Sequence, residues 1–213
     1  MPTETSYKIR TKQRNVFLRV SKGHFATNHS HINYYIDVTT QKTRLSEAQA
    51  VAKELVSYYS NSTIVDTVLC LDGTQVIGTC LAEELTRGNF VSINAHQTIY
   101  VLTPEHTAGS QIIFREGLMS AIKGKHVLIL AASVTTGYTA KSAIEAIQYY
   151  GGHVAGIASI FATVDECMGY PVQSVFETAD LEDYQSYPSH ECPMCKAGQR
   201  IDALVNSFGY SKI

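Results

Sequence analysis

The stretch from Val127 to Thr139 begins aliphatic, Val127-Leu128-Ile129-Leu130. It then turns small and hydroxylated: Ala131-Ala132-Ser133-Val134-Thr135-Thr136-Gly137-Tyr138-Thr139. A helix-like segment follows. A buried strand that ends in a short loop at a helix start can hold a phosphate, because free backbone N–H groups, hydroxyls and the helix dipole converge on one anion. Ser133, Val134, Thr135, Thr136, Gly137, Tyr138 and Thr139 are therefore the candidate phosphate-binding residues. Gly137 lets the main chain come close to the oxygens. The loop has no lysine and lacks the G-x-x-x-x-G-K-[ST] spacing of a nucleoside-triphosphate loop. An ordinary strand-to-helix turn is the alternative.

Two other groups of residues could do chemistry. Cys192 and Cys195 form a Cys-x-x-Cys pair in the tail, which offers two thiolates at zinc spacing. Four ligands are needed, and His190 and Cys167 join only if the fold brings them near. A redox pair or a structural turn accounts for the same spacing. His24, His29 and His31 cluster in sequence. With no carboxylate or fourth ligand beside them, they read as polar loop histidines.

The Thr135-Thr136-Gly137-Tyr138-Thr139 loop resembles the phosphoribosyl diphosphate (PRPP) motif of type I phosphoribosyltransferases. In that motif a hydrophobic strand leads through two acidic residues to Thr-Thr-Gly-x-Ser/Thr. Ala131 and Ala132 stand where the acidic pair, which holds the ribose hydroxyls, belongs. Leu69-Cys70-Leu71-Asp72-Gly73-Thr74 falls where the family has its diphosphate loop, so the resemblance assigns Asp72, Gly73 and Thr74 to the diphosphate side. A carboxylate there repels diphosphate unless Mg²⁺ lies between them. Gly23-His24-Phe25 through Tyr34-Tyr35-Ile36-Asp37 resembles the N-terminal hood of the orotate branch. Tyr187-Pro188 through Cys192-Pro193-Met194-Cys195 to Gly198 resembles that branch's C-terminal ending. Arg115-Glu116-Gly117 and Lys123-Gly124-Lys125 resemble its approach to the PRPP motif. The branch also carries a cationic mobile loop, matched here by roughly residues 95–109. That segment has no Lys or Arg, only His96 and His106.

The resemblance implies an enzyme that joins PRPP and a base to give a nucleoside 5′-monophosphate and diphosphate, with Mg²⁺ if catalytic, acting as a homodimer. The missing acids and cations imply a degenerate active site. A non-catalytic or regulatory binder of a nucleotide or sugar phosphate on the same scaffold is the alternative.

Bulk properties fit this frame. The 213 residues are 45% apolar and 17% charged, with net charge −2. No basic run suggests nucleic acid as a partner, and no segment suggests a membrane span. Met1-Pro2-Thr3-Glu4 lacks the basic and apolar parts of a signal peptide. Five cysteines do not suggest a disulfide framework. A cytoplasmic protein is the expectation.

The elements must position these residues. Strands are predicted at Asn15–Val20, Asn33–Val38, Ile64–Leu71, Phe90–Ile93, Thr98–Leu102, Gln111–Phe114, 126–130, His153–Phe161 and Val172–Phe176. Helices are predicted at 46–59, 75–87 and 139–150. Ser46 and Gln49 are expected to form a capping box, and Gly88 to stop the second helix. Strands alternating with helices indicate parallel βαβ units. The expected fold is α/β, a doubly wound, mostly parallel sheet of the type I phosphoribosyltransferase kind with a small N-terminal hood. Its parts are a hood (1–40), a core (41–180) and a polar, irregular tail (181–213).

Overall fold

In the computed structural model, residues 6–11, 16–87, 92–95, 98–109, 111–206 and 209–213 are described. Asn15, Gly88, Phe90, Val91, His96 and Ser110 lie outside them. The elements in chain order are β1 (Ser6–Arg10), β2 (Phe17–Ala26), β3 (His31–Asp37), α1 (Thr39–Thr43), α2 (Leu45–Tyr59), β4 (Thr67–Cys70) and α3 (Gln75–Thr86). Then come β5 (Tyr100–Leu102), β6 (Glu105–His106), β7 (Ile112–Ile113), β8 (His126–Val134), α4 (Tyr138–Tyr149), β9 (His153–Ala162), β10 (Glu166–Cys167) and β11 (Tyr170–Glu177). The tail holds β12 (Ser186–Tyr187), α5 (Pro193–Lys196), β13 (Ala203–Asn206) and β14 (Gly209–Lys212). The chain divides into two compact units, Met1–Thr40 with Phe176–Ile213, and Gln41–Val175.

The larger unit is built on a sheet of order β10-β11-β9-β8-β4-β5. β4 runs parallel to β5 and β8, and β8 runs parallel to β9. The aliphatic runs at 67–71 and 127–130 are buried throughout, as parallel strands covered on both faces must be. Leu69, Ile129, Ile144, Ile147 and Ile157 meet in one core. The βαβ units expected from sequence are present as β4-α3-β5 and β8-α4-β9. Cys70 pairs with Leu130 across the two central strands. The loops that follow β4 and β8 therefore leave the same edge of the sheet, where open α/β sheets bind ligands.

Several local expectations need correction. The helix over 46–59 starts at Leu45, and Arg44 occupies its N-cap with no side-chain hydrogen bond. Ser46 is already inside the first turn, so the capping box does not form. The strand at 126–130 continues to Val134, because β9 pairs with it as far as Ala162. Ile93 lies in a turn, and the loop from Thr103 contains β6.

The smaller unit carries a sheet of order β12-β3-β2-β13-β14, with β1 paired to β2. Its tail is not irregular. β12 pairs with β3, and β13 pairs with β2. These strands are two to four residues long and partly exposed. Their pairing is long-range and leaves no periodic signal in the local sequence. β2 also runs past Val20 to Ala26, with a register shift between Lys22 and Phe25.

Candidate functional site

β8 delivers Thr135, Thr136 and Gly137 to the edge of the sheet. Gly137 has a left-handed backbone (φ 72°) and stands at the N-cap of α4 without a side-chain cap. Only glycine takes that conformation at little cost. A Cβ at Gly137 would also meet Cys167 Sγ at 3.3 Å. The loop is pinned from below, since Thr163 Oγ1 donates to Thr135 O at 2.9 Å and Thr163 N–H donates to Val134 O at 3.0 Å. Thr136, Tyr138 and Thr139 are exposed. A rigid base thus presents hydroxyls and the uncapped first-turn amides of a twelve-residue helix to solvent. That is an arrangement able to bind a phosphoryl group. Ser133 and Val134, expected in the loop, are the last residues of β8, with Val134 buried.

After β4 the chain turns through Asp72 and Gly73, both left-handed (φ 54° and 79°). The Thr74 hydroxyl is fully buried and donates to Leu71 O at 2.8 Å and Leu130 O at 3.0 Å. It ties the two central loops together rather than lining a ligand surface. The half-buried Asp72 carboxyl accepts the Ala132 N–H. Burial raises its pKa, against the opposing pull of that hydrogen bond, Lys42 and His106. Lys42 Nζ donates to Asp72 O at 2.9 Å. Lys42 brings a cation to the loop after β4 from α1, thirty residues away in sequence. A search for cations confined to the segment between Arg87 and Arg115 misses it. The Cys70 thiol, next to this loop, is pushed up by burial to about 12, so it is not a nucleophile at neutral pH.

No protein-family model matches the chain. The orotate phosphoribosyltransferase of Chlorobaculum parvum is 28% identical over 184 residues, covering 85% of this chain and 86% of that protein. Leishmania donovani UMP synthase superposes with a TM-score of 0.53 at 20% identity, over 76% of this chain and 34% of that one. The orotate phosphoribosyltransferase of Mycobacterium tuberculosis, in complex with PRPP, gives 0.50 at 21% identity, over 70% and 83%. The chain is similar in sequence to these orotate phosphoribosyltransferases, and its fold is that of the type I phosphoribosyltransferases.

The two alanines, Ala131 and Ala132, are built into their surroundings. Ala131 packs in the main core and is 1% exposed, while Ala132 gives its N–H to Asp72. An acid at 131 would be a buried charge, and position 132 is buried as well, at 6% exposed. This does not fit a Mg²⁺ site made by the protein. Ala131 and Ala132 offer no side-chain oxygen, and burial favours the neutral form of Asp72. In the loop region at 95–109, His106 sits on β6 and is exposed. Glu105, beside it, accepts from Arg115 Nε at 2.9 Å and Nη2 at 2.6 Å. The nearest downstream arginine is therefore already paired.

The metal candidates from sequence sort differently in space. Cys167 lies against Gly137, with Sγ 3.7 Å from the carbonyl oxygen. His190 is exposed beside Glu191 at 3.3 Å. His29 is exposed in a turn. Cys192 and Cys195 instead meet His24 and His31 in the smaller unit. The expectation that these two histidines are mere loop residues is overturned, since His24 lies on β2 and His31 on β3, both buried.

Proposed function

We propose that the loop from Thr135 to Thr139 grips the 5′-phosphate of PRPP or a nucleoside 5′-monophosphate, and that the protein is a phosphoribosyltransferase weakened in its transfer step. One observation carries the binding half. The left-handed Gly137 opens α4 at the carboxyl end of β8 with no side-chain cap, leaving amides and the Thr136 and Thr139 hydroxyls for an anion. Lys42 supports a role for Asp72 and Gly73 on the diphosphate side, where its ammonium would offset the charge of a departing group.

Transfer also requires the ribose to be held while charge builds at C1 and on the diphosphate. Ala131 and Ala132 give no carboxylate to its hydroxyls. Removing one preorganised charge-stabilising donor typically costs about 2.7–4 kcal/mol of barrier. The packing of Ala131 into the core favours a second reading, a phosphate-ester binder with no turnover, because the surroundings have closed around the missing acid. Calorimetric titration with nucleoside 5′-monophosphates and with PRPP, beside an assay of diphosphate release on a panel of bases including orotate, separates the two. Binding with slow release supports the first reading, and binding with none supports the second. Failure to bind any of these esters overturns both. We further propose a homodimer, on the strength of the family resemblance.

A further inference from the structure

Four ligand atoms converge in the smaller unit. His24 Nε2 lies 3.1 Å from His31 Nδ1, 3.5 Å from Cys192 Sγ and 3.6 Å from Cys195 Sγ. Cys195 Sγ is 3.2 Å from His31 Nδ1, and all four atoms lie within 4.8 Å of one another. With Zn–N of about 2.0–2.1 Å and Zn–S of about 2.3 Å, a tetrahedral ion has N···N edges of about 3.4 Å, N···S of about 3.5 Å and S···S of about 3.8 Å. Those four edges match that tetrahedron to within a few tenths of an ångström, and the two remaining edges, His31 to Cys192 and Cys192 to Cys195, are no longer than 4.8 Å.

The surroundings fix His24 in the tautomer a metal needs. The other ring nitrogen of His24, Nδ1, faces two carbonyl oxygens, Gln199 O at 3.0 Å and Arg200 O at 3.2 Å. A carbonyl only accepts, so Nδ1 carries the proton and Nε2 is left as a bare lone pair aimed at the other three donors. Metal-bound histidines are oriented in this way by their outer hydrogen bond. The backbone is shaped to the same end. Lys22 pairs with Tyr34 and Phe25 with Ile32, so Gly23 and His24 stand opposite the single residue Asn33 in a β-bulge. Such a bulge re-aims a side chain, and here it turns His24 inward. The Asp202 carboxylate accepts the His24 N–H at 2.7 Å, and the Asp202 N–H donates to His24 O at 2.7 Å. A Cβ on Gly23 would strike that carboxylate at 2.8 Å. On the other side, β12 pairs Tyr187 with His31, and α5 carries Cys195 one turn after Cys192.

We propose that His24, His31, Cys192 and Cys195 bind a structural zinc ion that staples the C-terminal segment to the β2–β3 hairpin. Two imidazoles with two thiolates in a closed tetrahedron suit zinc, and leave no open position for catalysis. The need is physical. His24 and His31 are next in sequence to Phe25 and Ile32 of one apolar cluster, while Cys192 and Cys195 come from the far end of the chain, so a shared ion would brace contacts of long sequence separation. The staple does not depend on what the loop at 135–139 binds.

The test is metal analysis of the full chain, purified without chelator or histidine tag. One zinc per chain is expected, with X-ray absorption fitting two sulfur and two nitrogen neighbours. Replacing zinc with Co²⁺ should give thiolate charge-transfer bands and tetrahedral d–d bands. Cys192→Ser and His31→Ala should each lower zinc retention after dialysis by about tenfold or more. His29→Ala, altering the exposed neighbour, should leave zinc content unchanged. Chelation should lower the thermal midpoint by about 5 °C or more. A folded wild-type chain, grown with zinc supplied, that contains none and takes up no Co²⁺ would overturn the proposal. So would a native Cys192–Cys195 disulfide in a chain whose melting ignores chelator. The wild-type measurements stand even if the variants fail to fold.

Discussion

At the scale of single residues, Gly137 and Asp72 hold their positions for opposite reasons. Gly137 combines a left-handed backbone with the N-cap position of α4, where we propose the phosphate binds. A side chain in the left-handed region costs about 1–2 kcal/mol, more for a β-branched one. Gly137→Val would have to move the loop, and each hydrogen bond from a loop amide to a charged phosphate is worth about 1.5–3 kcal/mol. The affinity for a nucleoside 5′-monophosphate should fall by about tenfold to a hundredfold by calorimetry, while far-UV circular dichroism stays native. Unchanged affinity would place the phosphate elsewhere. Asp72 is held against its electrostatic preference. Its pKa is raised chiefly by burial, so folding favours the neutral acid. That contribution is fully present below the unfolded-state pKa, and is lost as pH rises through the folded value. Asn accepts the same Ala132 N–H, carries no charge and tolerates a left-handed backbone. Asp72→Asn should therefore raise the thermal midpoint at pH 7, with the gain vanishing in acid. A variant less stable than wild type at pH 7 would show that Asp72 is held charged by Lys42 and His106.

At the scale of elements, the sequence was legible wherever burial is one-dimensional. The aliphatic runs of β4, β8 and β9 and the apolar faces of α2 and α4 repeat at short period, so the βαβ core and the edge bearing the loops could be read directly. Three things were hidden. Ser46 has the residue type of a cap, but α1 lies just upstream and the helix begins before it. Lys42 reaches Asp72 only through the turn from α1. His24 and His31 acquire their partners from the far end of the chain, through a bulge and two short strands whose pairing has no local signature. The entry to β8 shows a further long-range tie. Asp66 Oδ2 accepts the His126 N–H at 2.7 Å and its Nδ1 at 3.0 Å. Burial works against the Asp66 anion, but the His126 hydrogen bonds, Lys125 and the His126 charge outweigh it and lower its pKa. The stabilisation is present above the unfolded-state pKa and is lost as pH falls through the folded one. Asp66→Ala leaves the His126 N–H without its acceptor and should cost about 1–2 kcal/mol at pH 7 by urea unfolding. The difference should narrow below the ordinary carboxylate range, as wild-type Asp66 protonates. A gap that stays constant down to strong acid would mean that packing, not the anion, is responsible.

At the scale of the whole molecule, our proposal is that grip and chemistry have separated on one fold. The loop from Thr135 to Thr139 rests on main-chain conformation, set by the end of β8 and the start of α4. A transfer step, by contrast, would rest on side chains. Ala131, packed in the core, and Ala132, bound through its N–H to Asp72, offer it no carboxylate, and the segment at 95–109 has no Lys or Arg. Lys42 is one cation where the orotate branch uses several. If losses of this kind act singly, each is worth about 10²–10³ in rate. Diphosphate release from PRPP with orotate should therefore run at least about a hundredfold below an orotate phosphoribosyltransferase assayed beside it. PRPP should nonetheless bind measurably in the same preparation. The two readouts must diverge for the separation to hold. Orotate turnover at the rate of the reference enzyme would mean that Asp72 and Lys42 together replace the lost acids and cations, and that this site is rebuilt rather than worn down.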